Sequence, residues 1–326
     1  AYPIERVFKS RLNPRALGFG VAVATEAGIP VAEMNLELGS LAVLMGTTND
    51  QIIDGIDPQR FTEQIALAVF HNPTVSPKQY GIRIISEAVN DPKNAITNGI
   101  RDKFLADVNA IKDPRSRELL LKETAGWQEF LFAQESEYIA LAAGEKHLTL
   151  EDVARYRQDQ NTRAARFCML ALFGERAYKN WEQIRSVAEN IIGPLTIGGQ
   201  VIDDLRDIKS DLQQQRPNLW VAAMCDHYAL DFPGDPSELK AYLKGRIEGI
   251  VGRTPDVKIT TSFIKRHAPE VVYQKVCAVM EANLSHTRQT PSGRVFAAAG
   301  KPMLELYPDI AKLIYLVDPN SPLTMF

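Results

Sequence analysis

Apolar residues recur along nearly the whole chain at the three-and-four spacing of a helix face, and no stretch alternates polar with apolar residues as a half-buried strand would. This restricts the chain to an all-α fold. The spacing predicts helices over Ile4–Leu12, Arg15–Ala27, Val31–Ile53, Pro58–Phe70, Lys78–Val89, Ile96–Ile111, Ser116–Ala143, Leu150–Phe173, Ala177–Ile192, Leu195–Gln213, Leu219–Ala229, Ser237–Val251, Pro269–Thr287 and Lys301–Leu316. Thr149, followed by Glu151 and Asp152, reads as an N-cap with acids in the first turn. Gly174, Gly193-Pro194, Pro217 and the loop from Asp231 to Pro236 punctuate the pattern. No fixed-period repeat or low-complexity linker divides it, so one helical domain over residues 1–326 is expected.

One of these helices carries a chemical signature. Between Gly199 and Leu212, directly behind an apolar segment, stand Asp203, Asp204, Asp207 and Asp211. In a helix, Asp203, Asp207 and Asp211 recur at i, i+4 and i+8 and share one stripe, with Asp204 about 100° away on the same wall. Each such like-charge pair costs roughly a few tenths of a kcal/mol, so the face calls for a cation. Ligands made only of carboxylate oxygen are hard and suit Mg²⁺, which fills its remaining positions with water and substrate phosphates. A second acidic pair, Asp50 and Asp54, again i and i+4, ends the long apolar helix that carries Met45, Gly46 and Thr47 one turn deeper. Two carboxylate ladders on separate helices, about 150 residues apart, are what a diphosphate bridged by several Mg²⁺ ions, about three, requires.

These fragments together resemble the trans-isoprenyl diphosphate synthases and the class I terpene synthases derived from them, over roughly residues 41–220. Gln200 to Asp207 resembles the second aspartate-rich motif of that family, Q-x-x-D-D-x-x-D. Asp211 to Leu219 resembles its D-L-x-x-G-K-x-T-L segment, with Arg216 in the place of the lysine and Asn218 in that of the threonine. Upstream, Tyr156 and Asn161-Thr162-Arg163 resemble the tyrosine and the Lys-Thr helix break. Asp50 to Asp54 resembles the first motif, D-D-x-x-D, and Arg60 one of the arginines after it. The resemblance implies a helical bundle of the isoprenoid synthase type with a central cavity, a homodimer, and a cytoplasmic enzyme acting on a prenyl diphosphate. It also implies that Asp50, Asp54, Asp203 and Asp207 are catalytic and hold Mg²⁺, with Asp204 and Asp211 as further ligands. Arg60, Thr162, Arg163, Gln200 and Arg216 would bind the substrate, with Arg166, Arg206 and Lys209 as further cations. Met45 and Phe167, with Trp127, Phe130 and Phe173, would line the apolar pocket, although apolar residues at helical spacing are ordinarily core.

Departures from the family pattern sharpen the expected activity. The Gly-Gly-Lys-Arg segment that holds a second diphosphate in the elongating enzymes is missing, the lysine of the Lys-Thr pair is Asn161, and the second acid of the first motif is Gln51. An enzyme joining two diphosphates needs those charges; one that ionises a single allylic diphosphate needs only the metal-bound site. A terpene cyclase is therefore expected. Two alternatives stand beside it. Asp50 to Gly55 also resembles D-E-x-x-D-G, and Leu205 to Asp211 also resembles L-R-D-x-x-x-D, of the squalene and phytoene synthases. Gln51 and Asn161 also suit a non-catalytic subunit of a heteromeric prenyltransferase.

Composition removes other classes. A net charge of -3 provides no basic field for nucleic acid, and no apolar run approaches the roughly 20 residues of a membrane span. The basic N-terminal stretch before Ala16 is interrupted by Glu5 and reads as part of an ordinary helix. The histidines His71, His147, His227, His267 and His286 lack ligand spacing, and Cys168, Cys225 and Cys277 read as separate buried thiols. Asp226-His227 lacks the partners of a phosphohydrolase, and Gly198-Gly199 follows no strand and so forms no nucleotide loop. Arg294 and Lys301 remain possible diphosphate contacts.

Overall fold

A computed structural model of the chain describes residues 30–143, 148–194, 197, 200–201, 204, 211 and 217–228, with single positions at 21 and between 272 and 282. The described residues are predominantly helical and include no strand, as the periodicity requires. A 3₁₀ turn over Val31–Glu33 leads into α1 (Leu36–Asp54), α2 (Pro58–His71), α3 (Pro77–Val89), α4 (Ala95–Asn109), α5 (Pro114–Ala143) and α6 (Leu150–Phe173). A 3₁₀ turn over Gly174–Arg176, α7 (Trp181–Val187), a π-helical turn over Ala188–Ile192 and α8 (Leu219–Tyr228) follow. No helix among these residues is long and apolar enough to cross a membrane. The helices expected over Ile4–Leu12, Ser237–Val251 and Lys301–Leu316 lie outside the described residues, as do most of Arg15–Ala27, Leu195–Gln213 and Pro269–Thr287.

Side-chain caps fix most helix starts. Asp57 accepts the Arg60 N–H at 2.8 Å with Pro58 at the first helical position, and Ser76 forms a reciprocal box with Gln79 ahead of Pro77. Thr149 caps α6 as expected: its hydroxyl accepts the Asp152 N–H at 3.1 Å, and Asp152 accepts the Thr149 N–H at 3.3 Å. The first long helix begins five residues later than its periodicity predicts. Asn35 accepts the Leu38 N–H at 3.0 Å and donates its own N–H to the Leu172 carbonyl at 2.7 Å, a tertiary bond that breaks the helix after the 3₁₀ turn. The facing residue, Gly174, ends α6 at φ 46°, where a side chain is strained, and a Cβ there would lie 3.2 Å from that of Asn35.

Packing groups the chain into two compact units, one within Ala1–Glu137 and Gln160–Gly193, the other within Tyr138–Asp159 and Pro194–Phe326. In the first, α1 packs on α4 and α3, and α2 on α3. Leu38, Ala42, Met45 and Ile53 form the buried stripe of α1, and Ile100, Phe104 and Val108 that of α4. Trp127 stacks on Phe167 at 4.6 Å between ring centroids, and Phe104 meets Phe167 edge-on at 5.6 Å. In the second unit, Tyr138 lies 3.8 Å from Tyr156 and donates its hydroxyl to the Asp152 carbonyl, while Asp226 accepts the Leu150 N–H at 2.8 Å. Asp226 thus serves as an anchor for the start of α6.

An acid network joins the start of α5 to the Gly174 turn. Glu175 accepts the backbone N–H groups of Lys112 at 2.7 Å and Asp113 at 3.0 Å. Ser116 donates its hydroxyl to Asp113 at 2.6 Å and accepts the Tyr178 N–H at 3.0 Å. The Ser116 hydroxyl holds the Asp113 carboxyl below its ordinary value, and the Lys112 N–H does the same for Glu175. A carboxyl depressed in the folded state contributes stability that is complete above its ordinary value, near 3.8 for Asp113 and 4.5 for Glu175, and is lost as pH falls through the lower folded value. Urea unfolding of the wild type and Glu175→Gln should therefore show the wild type more stable at about pH 6, with the gap closing as pH falls below 4.5 through the lower folded value; a gap that does not change with pH would exclude a role for the ionised carboxylate.

Candidate functional site

The first acidic pair ends α1. Asp50 and Asp54 are both exposed, one turn apart, while Met45 and Asn49 of the same helix are buried. α1 carries no basic residue in its last turn, where the helix dipole disfavours anions. Arg60 follows on the first turn of α2 and is exposed. Gln51, which replaces the second acid of the motif, has a side-chain oxygen that is buried without a hydrogen-bond partner.

The second acidic cluster is organised around one carboxylate. Asp204 is 1% exposed. Its Oδ1 accepts from Gln200 Nε2 at 2.6 Å and faces Arg157 Nη2 at 3.5 Å, and its Oδ2 accepts the Leu219 N–H at 2.7 Å. Arg157 also donates to the Pro217 carbonyl at 3.2 Å. Asn218, 2% exposed, ties the cluster to α8: its Nδ2 donates to the Asp204 carbonyl at 2.6 Å and to Asp211 Oδ2 at 2.7 Å. Its Oδ1 accepts the N–H groups of Trp220 at 3.0 Å and Val221 at 3.2 Å. The Trp220 indole donates to the Val201 carbonyl at 2.9 Å, closing the frame.

This arrangement differs from the expected ladder in two respects. Asp204, expected among the metal ligands, spends both oxygens on protein donors and acts as an internal anchor, because its side of the helix faces the start of α8. Asp211 Oδ2 accepts from the Asn218 amide nitrogen, which also donates to the backbone carbonyl of Asp204. Gln200, expected to bind substrate, holds Asp204. Asp203, Asp207 and Arg216, with Arg206 and Lys209, lie outside the described residues, as do Arg294 and Lys301.

The α6 residues of the expected substrate site lie in the first unit. Arg163 stacks over the Phe130 ring at 4.1 Å, a cation–π contact. Thr162 lies against Gly193, where an added Cβ would collide with the threonine hydroxyl, so the π-helical turn ends pressed on α6. Arg166 pairs with Glu123 at 2.8 Å and Glu189 at 3.5 Å. Asn161, in the place of the family lysine, has its amide nitrogen buried without a partner. Of the expected lining residues, Met45, Trp127, Phe167 and Phe173 are buried and Phe130 is half-buried beneath Arg163. Cys168 is half-buried, and desolvation pushes its thiol up to about 12, which keeps it protonated at neutral pH.

Among the described residues no three His, Cys, Asp or Glu side chains form a metal-holding group. By donor chemistry, Asp50 and Asp54 suit a hard cation; Asp204 already accepts hydrogen bonds from protein donors at both oxygens. The residue that pattern reading missed is Arg157; the available signal was its position directly after Tyr156 on a helix otherwise assigned to the substrate. Removing it leaves a buried carboxylate without its cation. Arg157→Met should cost about 3 kcal/mol in chemical denaturation, and adding Asp204→Asn should cost less than the sum of the single changes; strict additivity would mean that the two side chains are uncoupled. Compared with family models, curated proteins and solved structures, the chain has no match.

Proposed function

We propose that this protein is a class I terpene synthase, which ionises an allylic prenyl diphosphate and cyclises or rearranges the resulting carbocation. The observation that carries this reading is the Asp50/Asp54 pair. Two exposed carboxylates one turn apart at the end of α1 stand on one helix face and offer the hard oxygen donors that suit Mg²⁺. The collinear motif resemblance supplies the rest.

In this reading Asp50, Asp54, Asp203 and Asp207 would hold Mg²⁺, which would supply Lewis acidity toward the diphosphate. Arg60, Arg163 and Arg216 contribute positive charge around the leaving group. The allylic C–O bond breaks heterolytically, its electron pair leaves with the diphosphate, and the carbocation ends by losing a proton or gaining water. Apolar side chains such as Met45 and Phe167 keep the bulk solvent from the cation, and aromatic faces stabilise it by about 0.5–2 kcal/mol each.

Diphosphate release from geranyl, farnesyl, geranylgeranyl and geranylfarnesyl diphosphates, with and without Mg²⁺, tests the reading. Turnover by the wild type should require Mg²⁺, and Asp50→Asn, Asp54→Asn or Asp203→Ala should each lower it by at least about 100-fold, roughly 3 kcal/mol in the barrier, with helix content by circular dichroism unchanged. Retained turnover in Asp203→Ala would overturn the assignment. A product with a doubled carbon skeleton would indicate a head-to-head condensing enzyme, and no release from any substrate would indicate a binding subunit.

A further inference from the structure

We propose that Asn49 is a ligand-binding residue whose buried amide donates to an oxygen of the diphosphate held at Asp50 and Asp54. This rests on the function proposed for those two acids. Asn49 is 1% exposed, and its Nδ2 has no hydrogen-bond partner among the described residues. It stands on the buried stripe of α1 between Met45 and Ile53, one turn from each, and directly precedes Asp50. A buried donor left unpaired destabilises the fold, and a leucine of nearly the same shape would not. A local rule broken without compensation inside the fold is expected where a chain binds something. Bulk water does not reach an amide this buried, so its partner is either a protein group brought in by rearrangement or a group of a bound molecule.

The surroundings favour a bound molecule. Asn35, ahead of α1, faces Gly174, and Lys112, beyond α4, donates its N–H to Glu175, so the start of α1 and the end of α4 meet at the same turn. The two packed helices are therefore antiparallel, and the last turns of α1 lie at the same end of the pair as the first turn of α4. At that end both buried stripes turn polar. Thr97 begins the stripe that continues through Ile100, Phe104 and Val108; it is 2% exposed, and its hydroxyl also has no partner among the described residues. Gln51 Oε1 and Asn98 Oδ1, on the same turns, are buried and unpaired in the same way. Asn94 gives the start of α4 no side-chain cap, so a helix N-terminus, which favours anions, faces this end too. A metal-bound diphosphate matches the set: its metal suits the two acids, and its anionic oxygens accept from a neutral amide. A hydrogen bond to an anionic oxygen away from water is stronger than one between neutral groups.

A binding role and a structural role move stability in opposite directions, which separates them. Asn49→Leu deletes the unpaired donor and keeps the shape of the side chain, so the melting temperature should rise. In the same variant the dissociation constant of inorganic diphosphate in Mg²⁺, measured by calorimetry, should increase about tenfold. Ile53→Val, one turn further along the same stripe, loosens packing without removing a polar atom and should leave that constant unchanged. An unchanged or lower melting temperature in Asn49→Leu, or its failure to fold, would mean that the amide serves the structure and overturns the inference. Unchanged diphosphate affinity in Asn49→Leu, or equal weakening in Ile53→Val, overturns it as well and leaves the functional reading in place. If the wild type binds no diphosphate in Mg²⁺, the functional reading falls and takes the inference with it.

Discussion

A carboxylate taken almost wholly out of water has to be met by donors, and the second unit is arranged around that requirement at Asp204. Gln200 reaches it from one turn earlier, Arg157 from α6, and the Leu219 N–H from the first turn of α8. The last contact does two jobs, since the start of a helix has unpaired N–H groups and a positive dipole end, both of which favour an anion. Asn218 supplies the other half of the α8 cap and reaches Asp211 with its nitrogen. Helix start and acidic segment are therefore held by one hydrogen-bonded cluster. The charge at Asp204 organises the frame.

The first unit follows a different logic. Its core is apolar and aromatic, with Trp127, Phe167 and Phe104 in mutual ring contact and the α1 stripe running through Leu38, Ala42 and Met45. Polarity concentrates at the end of α1, where Asp50 and Asp54 are exposed, and on the α6 segment that bears Thr162, Arg163 and Arg166. Two of the positions at which the chain departs from the isoprenoid synthase pattern, Gln51 and Asn161, carry buried amide atoms without partners. An unsatisfied buried polar atom costs roughly 1–3 kcal/mol, so Gln51 and Asn161 each cost stability.

Helix positions were legible because burial of one face imposes the 3.6-residue period, and Thr149 was legible as a cap because capping is a local interaction. The start of α1 was not. Its apolar spacing continues back to Val31, and the break at Asn35 depends on a bond to Leu172, more than a hundred residues away. The π-helical turn at Ala188–Ile192 leaves no mark in the pattern either. At the acidic segment, spacing groups the carboxylates by angle on the assumption of a helix but cannot say which angle faces inward. That depends on Arg157 and Leu219, which are remote in sequence and were not paired with it by any motif. The hydrogen bonds that Asp204 accepts from Gln200 and the Leu219 N–H are therefore tertiary contacts that no motif announces.

In the proposed function the acidic segments bind a diphosphate through Mg²⁺. Calorimetric titration of inorganic diphosphate into the wild-type protein, with Mg²⁺ and again with EDTA, addresses it without any assumption about the prenyl chain. Binding in Mg²⁺ that disappears in EDTA is the predicted result. Equal binding in both conditions, or none in Mg²⁺, would contradict the account.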